Sequence, residues 1–308
     1  MYSAHEPSAG HLVRLEAIAG SADVVVARTE EEATRLAASA DVILGHRYLR
    51  QCIDGAGRLK WVQSTAGGVD RLPLEAIRKR AIMLTRCPVM SGVIARHAWA
   101  MAWAIARRIP EMVQRHSERD WGSGTSWPPL PQRAVVFGTG AIGNEIARLL
   151  QLDSIDVTGV NRSGHPPEGV NFFDRVIDVE ASAAKLGSVE WCFLALPLTE
   201  ATKEFFDREK MSALPAEAVL VNVGRGETLV TDDLVSVLEG GHLAGAALDV
   251  IETGVSTVHP IWKAPRVIMS PHVAAHARER ADLTEQYVER QVMRFVSDQP
   301  LLDVVELP

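Results

Sequence analysis

Residues 134–146, AVVFGTGAIGNEI, constrain the fold of this 308-residue chain more than any other stretch. A short apolar run, Ala134, Val135, Val136 and Phe137, meets glycines at Gly138, Gly140 and Gly143, spaced G-x-G-x-x-G. Helix-spaced apolar residues follow at Ile142, Ile146, Leu149 and Leu150. The order predicts a strand, a tight turn and a helix opening at Ala141, the context in which this glycine spacing signals a dinucleotide site. Gly138 permits the turn, Gly140 lets the main chain approach a pyrophosphate, and Gly143 lets the helix sit close on the sheet. The first N–H groups of that helix have no partner within it and carry partial positive charge, so they suit a phosphate.

Strands and helices alternate on both sides of this unit, which predicts parallel sheets with crossover helices. Before it, Val24–Val26, Val42–Leu44 and Leu59–Gln63 read as strands, with helices at Glu30–Ala38 and Leu74–Arg80. The opening residues lack the apolar run of a first strand, so that edge is expected to be frayed or missing. After it, Ile155–Val160, Trp191–Leu196, Val219–Val223, Ala244–Val250 and Val267–Met269 read as buried strands. Helices are expected at 141–151, 201–213 and 231–240, and a last one over Glu279–Ser297. Val93–Ile109 is apolar nearly all round and is expected to be buried on every side, between domains or against another subunit. The loop 121–131, WGSGTSWPPLP, separates it from the nucleotide strand, and its tryptophans are either loop anchors or subunit contacts.

Bulk properties narrow the function classes. At 308 residues the chain is long enough for two ordinary domains or one large one with insertions; it is 47% hydrophobic and 23% charged, as soluble globular proteins are, and its formal charge of −7 disfavours nucleic acid or an anionic membrane as partner. No apolar run approaches the roughly 18 residues of a membrane span, and no signal peptide is visible in MYSAHEPSAG. Cys52, Cys87 and Cys192 are scattered and form neither a disulfide framework nor a metal pair, so no metal is expected and a reducing cytoplasm is the expected compartment.

Three motifs follow the glycine turn, each at the C-terminal end of an expected strand, where open α/β sheets bind ligands. They are LPLT at 196–199, VNVGRG at 221–226 and SPH at 270–272. With WVQSTAGGVD at 61–70 and GAALDV at 245–250, the chain resembles the D-isomer-specific 2-hydroxyacid dehydrogenases, especially their glyoxylate/hydroxypyruvate reductase branch. The resemblance spans nearly the whole chain. It implies a Rossmann-type doubly wound domain at 98–277 and a flavodoxin-like α/β substrate domain formed by 1–97 and 278–308. It also implies an active site between them, closure on turnover and a homodimer built across the nucleotide domains. No appended regulatory domain is expected after Pro308, which disfavours a phosphoglycerate dehydrogenase of the longer type.

Arg225 lies between two glycines, and its planar guanidinium can grip a carboxylate and a carbonyl oxygen together. The resemblance makes it the residue that orients a 2-oxo acid and polarises its carbonyl. His272 matches the family's proton donor, the side-chain type best suited to protonate an alkoxide near neutral pH. His97, His116, His259 and His276 are weaker candidates. The turn Ala66, Gly67, Gly68, Val69 matches the one whose N–H groups hold the substrate carboxylate. Leu196, Pro197, Val223, Gly224 and Asp249 match cofactor-side positions, Asp249 near the nicotinamide. One departure stands out. The family's histidine-pairing glutamate, five residues beyond the Asp, is Gly254 here, in a segment one residue shorter than usual. Either Glu252 has taken over the pairing or His272 works without a carboxylate.

Cofactor choice is read at the end of the second nucleotide strand, where an acidic residue would bind the ribose hydroxyls and repel a 2′-phosphate. This chain has Asn161, Arg162 and Ser163 there, which favours NADP(H), with NAD(H) possible. The reading is an NAD(P)-dependent enzyme reducing a small 2-oxo acid. Its rival is a nucleotide-sensing, corepressor-like protein of the same fold with little turnover, for which the lost glutamate argues and the retained Arg225 and His272 do not.

Overall fold

The computed structural model describes residues 1–122 and 127–307; residues 123–126 of the expected 121–131 loop lie outside the described residues. The chain divides into two compact units, residues 1–90 with 277–308, and residues 91–276. The boundary read from sequence, at 97/98, would cut a helix that belongs whole to the second unit.

In the first unit the elements run α1 (Ala9–Ala19), α2 (Glu30–Ala37), β1 (Val42–Leu44), α3 (Leu49–Cys52), β2 (Trp61–Gln63), α4 (Leu74–Lys79) and β3 (Met83–Thr85). A returning helix, Arg280–Val296, completes it and is called α11 below. β1, β2 and β3 form a parallel sheet in that order. The frayed edge expected from the sequence is present in reduced form. Tyr2 makes single parallel bridges to Val26 on one side and Leu44 on the other. Its N–H donates to the Val25 carbonyl at 2.8 Å, and the Ala27 N–H donates to the Tyr2 carbonyl at 2.9 Å. Val24–Val26 is therefore one bridge rather than the expected strand. Counting both bridges as vestigial strands, the order is 2-1-3-4-5, that of flavodoxin-like sheets. α1 was not expected from the sequence; Ser8 caps it, accepting from the His11 N–H at 3.1 Å.

α1 packs on α11 through a cluster of ionisable groups. Glu285 accepts from the Ser8 N–H at 2.9 Å and the Ser8 hydroxyl at 2.7 Å. Glu289 meets buried His11 at 2.6 Å and Arg14 at 2.9 Å. Burial alone would raise both carboxyls, but the Ser8 bonds and His11 hold Glu285 low, and Arg14 and His11 hold Glu289 low. A carboxyl depressed on folding contributes stability above its unfolded value, about 4.3, and that contribution is lost as pH falls through the folded value. Glu289→Gln is expected to destabilise the chain by about 1–3 kcal/mol at neutral pH, with the difference from the parent vanishing in acid. Thermal melts at both pH values check this; an equal deficit at low pH would contradict it.

The second unit runs α5 (Ser91–Ala106), α6 (Ile109–Glu118), β4 (Arg133–Phe137), α7 (Ala141–Leu152), β5 (Asp156–Val160), β6 (Arg175–Ile177), α8 (Val179–Leu186), β7 (Trp191–Leu194), α9 (Arg208–Ala213), β8 (Val219–Asn222), α10 (Thr231–Glu239), β9 (Gly245–Leu248) and β10 (Val267–Met269). All seven strands are parallel, ordered β10-β9-β8-β7-β4-β5-β6. That is the doubly wound 3-2-1-4-5-6 order with one strand added, and the order reverses between β4 and β7. β7, β8 and β9 are buried at every residue because helices cover both faces.

α5 differs from the expected fully buried helix. Ala95, Ala98, Ala102 and Ile105 are buried against the sheet and α7, while Arg96 and Ala100 are exposed. Trp99 and Trp103 are half-buried and both donate their indole N–H to Asp153, at 2.7 and 3.1 Å. The helix stops at Ala106, and a left-handed Arg108 (φ 53°) starts α6, so Ile109 belongs to the next element. The expected helix over 201–213 is shorter, α9 alone, with turns before it. No helix among the described residues is long and apolar enough to cross a membrane.

Candidate active site

The glycine turn joins β4 to α7 as its spacing requires. A Cβ on Gly143 would collide with the Gly138 carbonyl and lie 3.2 Å from Val136, whereas a Cβ on Gly140 would meet nothing. Gly140 is also the N-cap of the twelve-residue α7, and no side chain caps that terminus. The N-terminal N–H groups at Ala141, Ile142 and Gly143 thus open onto free space that a side chain at 140 would fill. A dinucleotide pyrophosphate fits this cradle.

The neighbouring strand end is organised by Asn161. Its amide donates to Thr139 Oγ1 and to the His165 carbonyl, both at 2.8 Å. Its oxygen accepts from the N–H groups of Ser163 at 3.1 Å and Gly164 at 2.8 Å. Both ends of the amide are engaged, so Asn161 shapes the loop from within. Arg162 and Ser163 are exposed on that loop.

The remaining strand-end loops pack against one another in sheet order. Leu196 and Pro197 follow β7, and a Cβ on Gly224 would lie 2.7 Å from the Leu196 carbonyl. Val223 is buried, its N–H donating to Leu194 at 3.0 Å. A Cβ on Gly226 would collide with Ile251, so the glycines flanking Arg225 allow its loop to lie against both neighbours. Arg225 is half-buried in extended backbone (φ −134°). Its carbonyl accepts from Asn222 Nδ2 at 3.1 Å and Thr228 Oγ1 at 2.6 Å, and its Nη1 donates to the Gly224 carbonyl at 2.7 Å. Asn222, fully buried, also accepts from the Gly224 N–H at 3.0 Å. This brace was missed in the sequence, although an asparagine inside an apolar strand end was its visible sign.

His272 follows β10 with an exposed side chain and left-handed backbone (φ 55°). Exposure excludes the role of a buried structural histidine. No hydrogen bond or ion pair of its imidazole occurs among the described residues, nor of the half-buried Glu252 carboxyl. Of the two alternatives left by the missing glutamate, the structure holds a His272 without a carboxylate partner. Gly254 lies in an exposed turn (φ 90°). The loop carrying Glu252 is fastened instead by Thr253 Oγ1, which donates to Glu227 at 2.5 Å.

Asp249, matched to a cofactor-side position, turns its carboxylate inward. It is buried and accepts from Ser270 Oγ at 2.6 Å, the Val273 N–H at 2.9 Å and the Ala274 N–H at 3.1 Å. Its part in the site is to hold the loop that bears His272. Of the weaker histidine candidates, His97 lies 2.9 Å from Ser270 Oγ, and His259 pairs with Asp232 at 3.1 Å. His116 lies in α6, and His276 is exposed.

In the first unit the Ala66–Val69 turn follows β2. The Ala66 N–H is engaged by Ser64 Oγ at 3.1 Å, and its carbonyl accepts from the Cys87 N–H at 3.0 Å. Gly67 and Gly68 are exposed, and the N–H groups of Gly67, Gly68 and Val69 have no acceptor among the described residues. His46 backs the turn, with Nδ1 3.2 Å from Ser64 Oγ. Burial, aided by the Arg280 cation, lowers its imidazole below the ordinary value and so favours the neutral form. Among the described residues, no group of three His, Cys, Asp or Glu side chains is placed to hold a metal.

A doubly wound sheet with an open phosphate cradle defines a dinucleotide-binding domain. The chain belongs to the D-isomer-specific 2-hydroxyacid dehydrogenase family: the model of that family's NAD-binding domain matches residues 99–274. An uncharacterised protein of Streptomyces coelicolor is 34% identical over 222 residues, 71% of this chain and 78% of that one. Glyoxylate/hydroxypyruvate reductase A of Arabidopsis thaliana is 28% identical over 259 residues, 83% and 81% of the two chains. Among solved structures, the NADPH-dependent glyoxylate/hydroxypyruvate reductase of Sinorhizobium meliloti, in complex with NADP and malonate, superposes with a TM-score of 0.69. That pair is 26% identical and covers 86% of this chain and 82% of the other.

Proposed function

We propose that this chain reduces glyoxylate, hydroxypyruvate or a close 2-oxo acid to the 2-hydroxy acid with NADPH. The observation that carries this reading is the placement of Arg225 and His272 at the carboxyl ends of β8 and β10, in the sheet whose β4 end carries the phosphate cradle. The nicotinamide, when bound, supplies the hydride. The Arg225 fork binds the 2-oxo acid and stabilises charge growing on its carbonyl oxygen, and His272 delivers the proton that oxygen takes up. Within the first unit, the N–H groups of Gly67, Gly68 and Val69, which have no acceptor among the described residues, suit a small carboxylate. The Arabidopsis and Sinorhizobium relatives, by their names, support this substrate class. Incubation with hydroxypyruvate and NADPH is expected to yield glycerate; recovery of unchanged hydroxypyruvate would count against the reading.

NADP(H) preference rests on Arg162 and Ser163, exposed on the loop after β5, whose tip residues Asn161, Arg162 and Ser163 include no carboxylate to repel a 2′-phosphate. NADPH is expected to bind more tightly than NADH. Arg162→Ala is expected to narrow the gap about tenfold to a hundredfold, the loss of one charge-assisted contact. Fluorescence titrations giving equal affinities in the parent would overturn this.

The working form we infer is a homodimer. Ile109, Met112 and Val113 on α6, Trp121 and Trp127 of the following loop, and Leu152 at the end of α7 all leave large apolar surface exposed. Light scattering is expected to give twice the 33.6 kDa chain mass at micromolar concentration; the single mass would contradict it. Its compartment, on this reading, is the cytoplasm, with Cys52, Cys87 and Cys192 buried and unpaired.

A further inference from the structure

The segment 270–274 that carries His272 has no regular secondary structure. Its ladder to β9 ends at Ser270, whose N–H donates to the Leu248 carbonyl at 2.9 Å. Beyond that point Asp249 supplies the hold. Its carbonyl accepts from the His272 N–H at 2.9 Å, and its carboxylate accepts from Ser270 Oγ, the Val273 N–H and the Ala274 N–H. A left-handed backbone at a non-glycine residue persists only where its surroundings over-determine it. Here the residues on both sides of His272 are tied to one buried side chain.

The orientation of that carboxylate is itself determined, and proton counting shows by what. The Ser270 hydroxyl has one hydrogen and two acceptor sites. At 2.6 Å from Asp249 Oδ1, against 3.8 Å from the Met101 sulfur, that hydrogen goes to the carboxylate. The contact between Ser270 Oγ and His97 Nε2 at 2.9 Å then requires the imidazole to be the donor. The same Nε2 lies 3.7 Å from Asp249 Oδ1. A directed chain therefore runs from His97 on α5 through Ser270 to Asp249 and into the main chain on the far side of His272. His97 is half-exposed.

We propose that His97 and Ser270 are positioning residues for the proton donor: the His97 N–H and the Ser270 hydroxyl fix the Asp249 carboxylate, and that carboxylate sets the place of His272. The inference rests on His272 being the proton donor. It matters more here than it would with a carboxylate beside the imidazole, because nothing else among the described residues fixes that side chain.

The test uses the full chain and four substitutions. Ser270→Ala and His97→Phe remove the donors; Ser270→Thr keeps the hydroxyl, and His97→Gln keeps an N–H at the end of a side chain of similar reach. Ser270→Ala and His97→Phe are expected to lower kcat about tenfold to a hundredfold, as small misplacements of a reacting group do, with KM and NADPH affinity within about threefold of the parent. Ser270→Thr and His97→Gln are expected to recover kcat to within about threefold of the parent. Parental rates in both Ser270→Ala and His97→Phe would overturn the proposal. So would equal losses in all four, which would mark a packing effect. If Ser270→Ala proves unfolded by its thermal melt, the His97 pair decides alone. His272→Asn, assayed alongside, separates the two levels. An active His272→Asn would sink the proton-donor assignment, whereas an inactive one beside fully active His97→Phe and Ser270→Ala would sink only the positioning role.

Discussion

His272→Asn is expected to lower kcat for 2-oxo acid reduction by about 10²- to 10⁴-fold, the usual range for loss of a general acid. Asparagine is the informative replacement because it tolerates the left-handed backbone that position 272 adopts, at φ 55°, and offers no proton at the imidazole position. The side chain is exposed and bonded to nothing among the described residues, so the fold and NADPH affinity are expected to be retained. Retained reduction in a folded, NADPH-binding variant would remove His272 from the chemistry. Glu252→Gln is expected to leave kcat within a few-fold of the parent, since the Glu252 carboxyl makes no ion pair with His272 among the described residues. A large loss of kcat in a folded, NADPH-binding Glu252→Gln would show that the two residues meet during turnover.

Arg225→Lys is expected to reduce kcat/KM by about 10²- to 10³-fold, the cost of removing a pre-placed donor from a developing oxyanion. Lysine keeps the charge but not the planar fork that can hold a carboxylate and a carbonyl together. The main-chain brace at this position, from Asn222 and Thr228 to the Arg225 carbonyl, does not depend on the side chain. The loop is therefore expected to stay in place and the melting temperature to change little. Activity within a few-fold of the parent would show that charge alone suffices, and that the fork is not what binds the substrate.

Much of this was legible in the sequence because parallel strands covered on both faces are continuous apolar runs that end in their functional loops. The turn after Phe137, the VNVGRG loop after β8 and the SPH loop after β10 all lie where the pattern placed them. What stayed hidden has physical reasons. Tyr2 and Val26 complete the first sheet by main-chain pairing across the chain, which leaves no local apolar signature. α1 carries a core histidine, which is buried where it pairs with Glu289 on a helix 278 residues away, a contact with no local signature. β6 is a three-residue edge strand, too short to show a period. α5 reads as apolar all round because alanine is counted apolar, although its alanines serve close packing on one face and not burial on all. Its place in GAALDV matches Asp249 to the cofactor end of the site. Its inward carboxylate could be seen only once β9 and β10 had brought Ser270, Val273 and Ala274 around it.

The central claim, that this chain is an NADPH-dependent 2-oxo acid reductase, is tested most directly by following the near-ultraviolet absorbance of NADPH. The assay presents glyoxylate, hydroxypyruvate, pyruvate and a 2-oxo dicarboxylate in turn to the parent chain and to His272→Asn. The account predicts rapid loss of absorbance with glyoxylate or hydroxypyruvate in the parent, slower loss with NADH in place of NADPH, and near silence in the variant. Absorbance that stays constant with every 2-oxo acid, in a parent chain that binds NADPH, would contradict it.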